Sequence, residues 1–216
     1  MNDVSNTRQW FPYAKLARKP YRLITRPLRA IAGYVLGSIE SAVTRRQGQP
    51  KWPPLFMVGP SRSGTTLLYQ TMISGLKLCY ISNFMNRLPS APILLALLTL
   101  PLGGCSPRPC YESRFGITKG WNGPSSAYAL WKRWFADERN GISTTIRDEL
   151  ARREMIGTIA LIEQIYGRPF VNKWTGNSAR IPELAASFPN AVFLRVRRDS
   201  LQIAQSMLYA RRQLSG

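Results

Sequence analysis

The chain has 216 residues, and 30 Lys and Arg against 11 Asp and Glu leave it at +19 with no histidine. That length suits one domain with a sizeable core, and the charge draws polyanions (nucleotide, nucleic acid, sulfated glycan or anionic membrane) without choosing among them; a solvated basic surface is the plainer reading. The composition speaks against disorder, and Cys79, Cys105 and Cys110 make a poor disulfide framework and, without histidine, a poor zinc site. Free thiols fit a reducing, cytoplasmic compartment.

Residues 1–50 form a basic arm, with nine Lys and Arg against Asp3 and Glu40. Leu28, Ile31, Ala32, Val35, Leu36 and Ile39 recur at helical spacing and predict an amphipathic helix over Pro27–Thr44. Such a helix either lies on an anionic membrane surface or packs on the core with its basic side outward. No signal-peptide pattern opens the chain. Gln47–Pro54 is a breaker-rich linker into a domain over residues 51–216.

Leu55–Val58 reads as a buried strand, Gly59–Gly64 as a sharp loop and Thr65–Ile73 as a helix, with Gly75 as its C-cap and Leu76–Ser82 as a second strand. Ala91–Leu102 is the most apolar stretch. It is short of the roughly twenty residues a membrane span needs, and it suits a buried helix, the wall of an acceptor pocket or an interfacial contact. Gly103–Pro124 is irregular, and Ser125–Phe135 is a short helix holding Trp131 and Trp134, which either stack on a sugar or aromatic acceptor or, the plainer reading, pack in the core. Thr145–Tyr166 is a long amphipathic helix ended by Gly167.

A third strand over Pro169–Lys173, a helix from Pro182 to Ser187 and a fourth strand over Ala191–Val196 follow. The last helix opens with Asp199 as N-cap and Gln202 as capping-box partner. The alternation predicts a three-layer α/β/α fold around a parallel sheet, with ligands at the carboxyl ends of its strands.

The loop Gly59–Gly64 carries the chemistry. Two glycines let backbone N–H groups fold inward, and the helix start adds open donors and a positive dipole end, so an anion belongs there. The Gly-x4-Gly spacing is that of a nucleoside triphosphate loop, but Thr65 stands where that motif has Lys and the cation sits inside the loop at Arg62. Arg62-Ser63-Gly64-Thr65-Thr66 after a strand resembles the 5′-phosphosulfate loop of the sulfotransferase superfamily. A second match lies in Val192–Ser206, VFLRVRRDSLQIAQS, where Arg198 at a strand end and Ser206 eight residues on resemble the family's 3′-phosphate site. The resemblance spans roughly Leu55–Arg212, and Arg at the position of Arg62 is similar to bacterial-type relatives.

The resemblance implies that Arg62 grips the donor 3′-phosphoadenosine 5′-phosphosulfate (PAPS) and stabilises the transition state. Ser63, Gly64, Thr65 and Thr66 would bind its 5′-phosphate, and Arg198 and Ser206 its 3′-phosphate, without a metal. Acceptors are a hydroxyl or amine of a carbohydrate, lipid or small metabolite. The family's base is His or Glu; with no His here, Glu112 in the loop-rich region is the candidate, with an exposed Glu or an ion pair with Arg114 as its bland alternative. Glu163 is a weaker candidate, placed by periodicity on a solvated face. Lys173, at the end of the third strand, matches a Lys that related glycan sulfotransferases hold near the sulfuryl group; otherwise it is a charged strand end.

The family continues past this point with helices and a basic, glycine-containing loop over the nucleotide. The chain therefore reads as an N-terminal fragment, or as a form completed by the arm or another chain. Two other classes stay open. A P-loop kinase or hydrolase is disfavoured by Thr65 and by the lack of an apolar strand ending in a magnesium-binding Asp. A non-enzymatic basic module for nucleic acid or membrane is favoured by charge and not by motif; no nucleic-acid partner is expected.

Overall fold

The computed structural model describes residues 22–105, 111, 113–114, 116–136 and 143–215. Its centre is β1 (Leu55–Val58), flanked in parallel by β4 (Val171–Lys173) and β5 (Val192–Arg195) in the order β4-β1-β5. Phe56 pairs with Asn172 on one side and Phe193 on the other. A central parallel strand has both faces covered, so Phe56, Met57 and Val58 are all buried. Phe56 gathers the core: its ring lies 5.7 Å from Phe188, 5.7 Å from Phe193 and 6.2 Å from Trp131.

Helix α2 (Thr65–Leu76) follows β1 and packs on β1 and β4. It runs through Gly75, and Lys77 takes the left-handed cap conformation, φ 51°. This shortens the expected second strand: the chain leaves the helix late, and only Cys79 reaches the sheet. Its N–H bonds to Pro169 O and its O accepts from Val171 N, both at 2.9 Å, a parallel bridge outside β4.

Helices α3 (Asn83–Arg87) and α4 (Pro92–Thr99) precede a 3-10 turn at Leu100–Leu102. Helix α4 buries Pro92, Ile93, Leu95 and Ala96, while Leu97, Leu98, Leu100 and Leu102 are exposed, so the apolar stretch is only half interior. A short hairpin, β2 (Ser113–Arg114) and β3 (Ile117–Thr118), leads to α5 (Tyr128–Trp134), whose Trp131 and Trp134 are fully buried and meet edge to face. Cys105 is buried, its thiol bonded to the backbone of Tyr80 and pushed up to about 12 by burial. Cys110 lies outside the described residues.

Helix α6 (Glu149–Tyr166) opens on Asp148, whose carboxylate accepts from Ala151 N at 2.7 Å, and closes on Gly167 in the left-handed conformation. Helix α1 (Arg22–Thr44), α4 and α5 all pack on α6. Gly157 is required there, because a Cβ at that position would meet Thr44 O at 1.8 Å. Helix α7 (Ile181–Ser187) joins β4 to β5, and α8 (Ser200–Ser215) follows β5.

Glu163, expected on a solvated face, is 1 % exposed. Its Oε1 accepts from Phe170 N at 3.0 Å and its Oε2 from Trp52 N at 3.2 Å, tying the segments that enter β4 and β1. Periodicity marks the helix face but not the two N–H groups waiting beneath it. Glu163→Ala, which strands both donors, is expected to cost about 2–4 kcal/mol, read by urea unfolding. Burial raises the Glu163 pKa above its unfolded value, so the ionised side chain carries a cost that is relieved as pH falls through its folded value.

Candidate functional site

The carboxyl ends of β1, β4 and β5 open on one side and each feeds a loop into a shared cleft of about 360 Å³, within the range of small-ligand sites. The first loop is the glycine turn after β1. Gly59 has φ 151°, and a Cβ there would lie 2.8 Å from Val196 O, so the turn passes against the end of β5 only because the side chain is missing. Gly59 N donates to Ser178 Oγ at 3.0 Å, and Ser63 Oγ donates to Pro60 O at 2.8 Å.

Arg62 and Gly64 both have positive φ, 69° and 90°. Left-handed residues in such a turn curl successive N–H groups into an anion-binding nest, and a non-glycine residue held there marks local strain at the site. Gly64 is the N-cap of α2 and supplies no side-chain bond. The opening of α2 at Thr65, Thr66 and Leu67 lines the cleft, bringing the positive end of the helix to it.

The second phosphate element lies after β5. Asp199 caps α8 by accepting from Gln202 N at 3.0 Å. Gln202 does not complete a capping box; its Oε1 accepts from Arg198 Nε at 3.1 Å and steadies the guanidinium. Arg198 Nη1 then donates to Arg62 O at 3.1 Å, and Arg62 Nε donates to Ser206 Oγ at 2.9 Å. The two elements, far apart in sequence, are thus hydrogen-bonded to each other.

Lys173, the last residue of β4, lines the same cleft and is 7 % exposed. Burial lowers its pKa to about 8. The hairpin arches over it: a Cβ on Gly116 would lie 3.5 Å from Lys173 Nζ and 3.6 Å from Thr66 Oγ1. Ser113, Gly116 and Ile117 of the hairpin, with Ser126 beyond it, add to the lining. Glu112 lies outside the described residues.

Sequence reading passed over the rest of the wall. Trp174 and Thr175 follow Lys173 into the cleft; the rule that ligands sit beyond strand ends points to them as directly as to Lys173. Trp174 is held from behind by Arg180, which is 3 % exposed and stacked between the rings of Phe135 at 3.7 Å and Trp174 at 4.4 Å. Its Nε donates to Ser143 O at 2.6 Å, and burial lowers its pKa to about 10.

Arg62, Lys173 and Arg198 are the cationic residues of the described lining, and no carboxylate accompanies them there. The arrangement suits a ligand with several anionic groups, gathered where the glycine turn and Arg198 meet, with Lys173 on the wall of the same cleft. The model of the sulfotransferase family matches residues 53–215, which takes in every element of the cleft. No curated protein and no solved structure gives a match.

Proposed function

Because the chain belongs to the sulfotransferase family, we propose that it transfers a sulfuryl group from PAPS to a hydroxyl or amine of a carbohydrate, lipid or small metabolite. The observation that carries the donor assignment is the direct bonding of the two phosphate elements, Arg62 to Ser206 and Arg198 to Arg62 O, with Arg62 and Arg198 both on the wall of one cleft. A donor with phosphate at both ends of its ribose needs two such grips at a fixed separation. Residues 51–216 form the donor-binding domain in this reading, and residues 1–50 an arm that meets an anionic membrane surface from the cytoplasm.

Arg62 and the N–H groups of Ser63, Gly64, Thr65 and Thr66 bind the 5′-phosphosulfate, the Thr hydroxyls adding donors, and Arg198 and Ser206 bind the 3′-phosphate. The acceptor oxygen or nitrogen attacks sulfur in line, the bond from sulfur to the bridging phosphate oxygen breaks, and adenosine 3′,5′-bisphosphate leaves. Glu112 takes the acceptor proton. Arg62 and Lys173 absorb the negative charge that builds on the bridging and sulfuryl oxygens.

The wild type is expected to bind adenosine 3′,5′-bisphosphate roughly 10- to 100-fold more tightly than adenosine 5′-monophosphate, one charge-assisted grip being worth that much. Arg198→Ala should remove most of that preference while leaving monophosphate binding nearly intact. Equal preference in the variant would sink the assignment. Release of adenosine 3′,5′-bisphosphate from PAPS, followed over a panel of sugar, lipid and small hydroxyl or amine acceptors, tests the transfer itself.

A further inference from the structure

Helix α1 sits on the body with its faces reversed. The side turned inward is small and polar: Gly37, Ser41 and Thr44 are buried, and Thr44 O presses on the bare backbone of Gly157. The side turned outward is apolar. Val35, Ile39 and Val43 recur every four residues and make one continuous stripe, joined by Leu36, with Ile39 60 % exposed. An aliphatic stripe of this kind is the ordinary mark of a surface that meets a partner.

The charge pattern says which partner. Glu40, the helix's acid, turns inward, its Oε1 and Oε2 accepting from Ile93 N and Leu94 N at 2.8 and 3.0 Å. The outward stripe is therefore free of negative charge among the described side chains. Arg22, Arg26 and Arg29 lie in the first half of the helix, and the exposed Arg46 follows its end. No helix among the described residues is long and apolar enough to cross a membrane. A long helix with an uncharged aliphatic stripe between basic ends lies in the plane of a membrane interface. A second copy of a chain at +19 would meet the stripe with like charge.

We infer that the outward face of α1, centred on Val35, Ile39 and Val43, is the docking surface for an anionic lipid bilayer. This deepens the membrane-surface location and rests on that reading; it is independent of the donor assignment.

The test is co-flotation of the full chain with vesicles of phosphatidylcholine alone and of phosphatidylcholine mixed with phosphatidylserine. It is run on the wild type and on the combined Val35→Ser, Ile39→Ser, Val43→Ser variant. All three positions are exposed, so the variant should keep the wild-type unfolding temperature and its affinity for adenosine 3′,5′-bisphosphate. The wild type is expected on the mixed vesicles, with the variant about tenfold or more weaker and added salt weakening the wild type further. Failure of the wild type to float with mixed vesicles overturns the proposal, as does equal binding by the variant. A wild-type dimer in light scattering that the variant abolishes would assign the stripe to self-association and overturn it too. Vesicle binding without bisphosphate binding would count against the donor and leave this surface standing.

Discussion

Arg62→Ala is expected to lower sulfuryl transfer by on the order of 10²- to 10³-fold, the effect of removing a preorganised charge donor at a reacting centre. Arg62 stands where the two phosphate elements join. Its Nε bonds Ser206, its carbonyl oxygen holds Arg198, and its side chain lines the cleft beside the start of α2. Alanine removes the cation and the bond to Ser206 together, so donor affinity and turnover both fall. Arg62→Lys keeps the charge but loses the planar fork, and its activity should fall between the two. The side chain is half-buried at the cleft mouth rather than in the core, so the unfolding temperature should barely move. A variant that is equally impaired in activity and grossly unstable would place Arg62 in the fold and not in the site.

Lys173→Met should move activity and stability in opposite directions. Burial is the cause that lowers the Lys173 pKa to about 8 from an ordinary 10.5. The unfolded chain then holds the proton more tightly than the folded one, so stability rises with pH between those two values. Below about 8 the cost is fully present, on the order of 3 kcal/mol at neutral pH. Methionine fills the same space without a charge and should raise neutral-pH stability by up to that amount, with the gain vanishing above the ordinary lysine range. Activity should drop about 10²-fold, since a buried cation facing a developing anion is lost. Anion binding favours the protonated amine, so the affinity of the wild type for adenosine 3′,5′-bisphosphate should fall as pH rises through about 8, and that dependence should disappear in Lys173→Met. A stabilised variant with full activity would reduce Lys173 to a charged strand end.

The parts of the fold that sequence made legible are those where local rules and tertiary packing agree. The β1 turn and α2 were readable because Gly59 and Gly64 have one conformational use each between an apolar run and a helix. Asp199 was readable as a cap because its partner sits three residues on. Arg198 was legible through its resemblance to the sulfotransferase family's 3′-phosphate site, and Lys173 through its strand-end position together with a family match. Lys77 defeated the second strand by taking a left-handed conformation that a glycine such as Gly75 adopts at lower cost.

Periodicity found α1 but gave no sign of which face turns inward. Gly157 lets Thr44 O come against its bare backbone and Gly37 lies against Ser90, so the small face, not the apolar one, makes the contacts. Glu163 is a similar case: its carboxylate is placed by Trp52, far off in sequence, and by Phe170, just past the end of its helix, and neither is visible in that helix's pattern. The hairpin over Lys173 rests on strands of two residues each, too short to leave an alternation in the sequence.

The most direct test of the donor assignment is calorimetric titration with adenosine 3′,5′-bisphosphate in the absence of metal, run beside ATP with magnesium, on the wild type, Arg62→Ala and Arg198→Ala. The bisphosphate should bind in preference to ATP, and both substitutions should weaken it. Preference for ATP with magnesium, or bisphosphate binding that neither substitution disturbs, would contradict the two-grip site on which the proposed function stands.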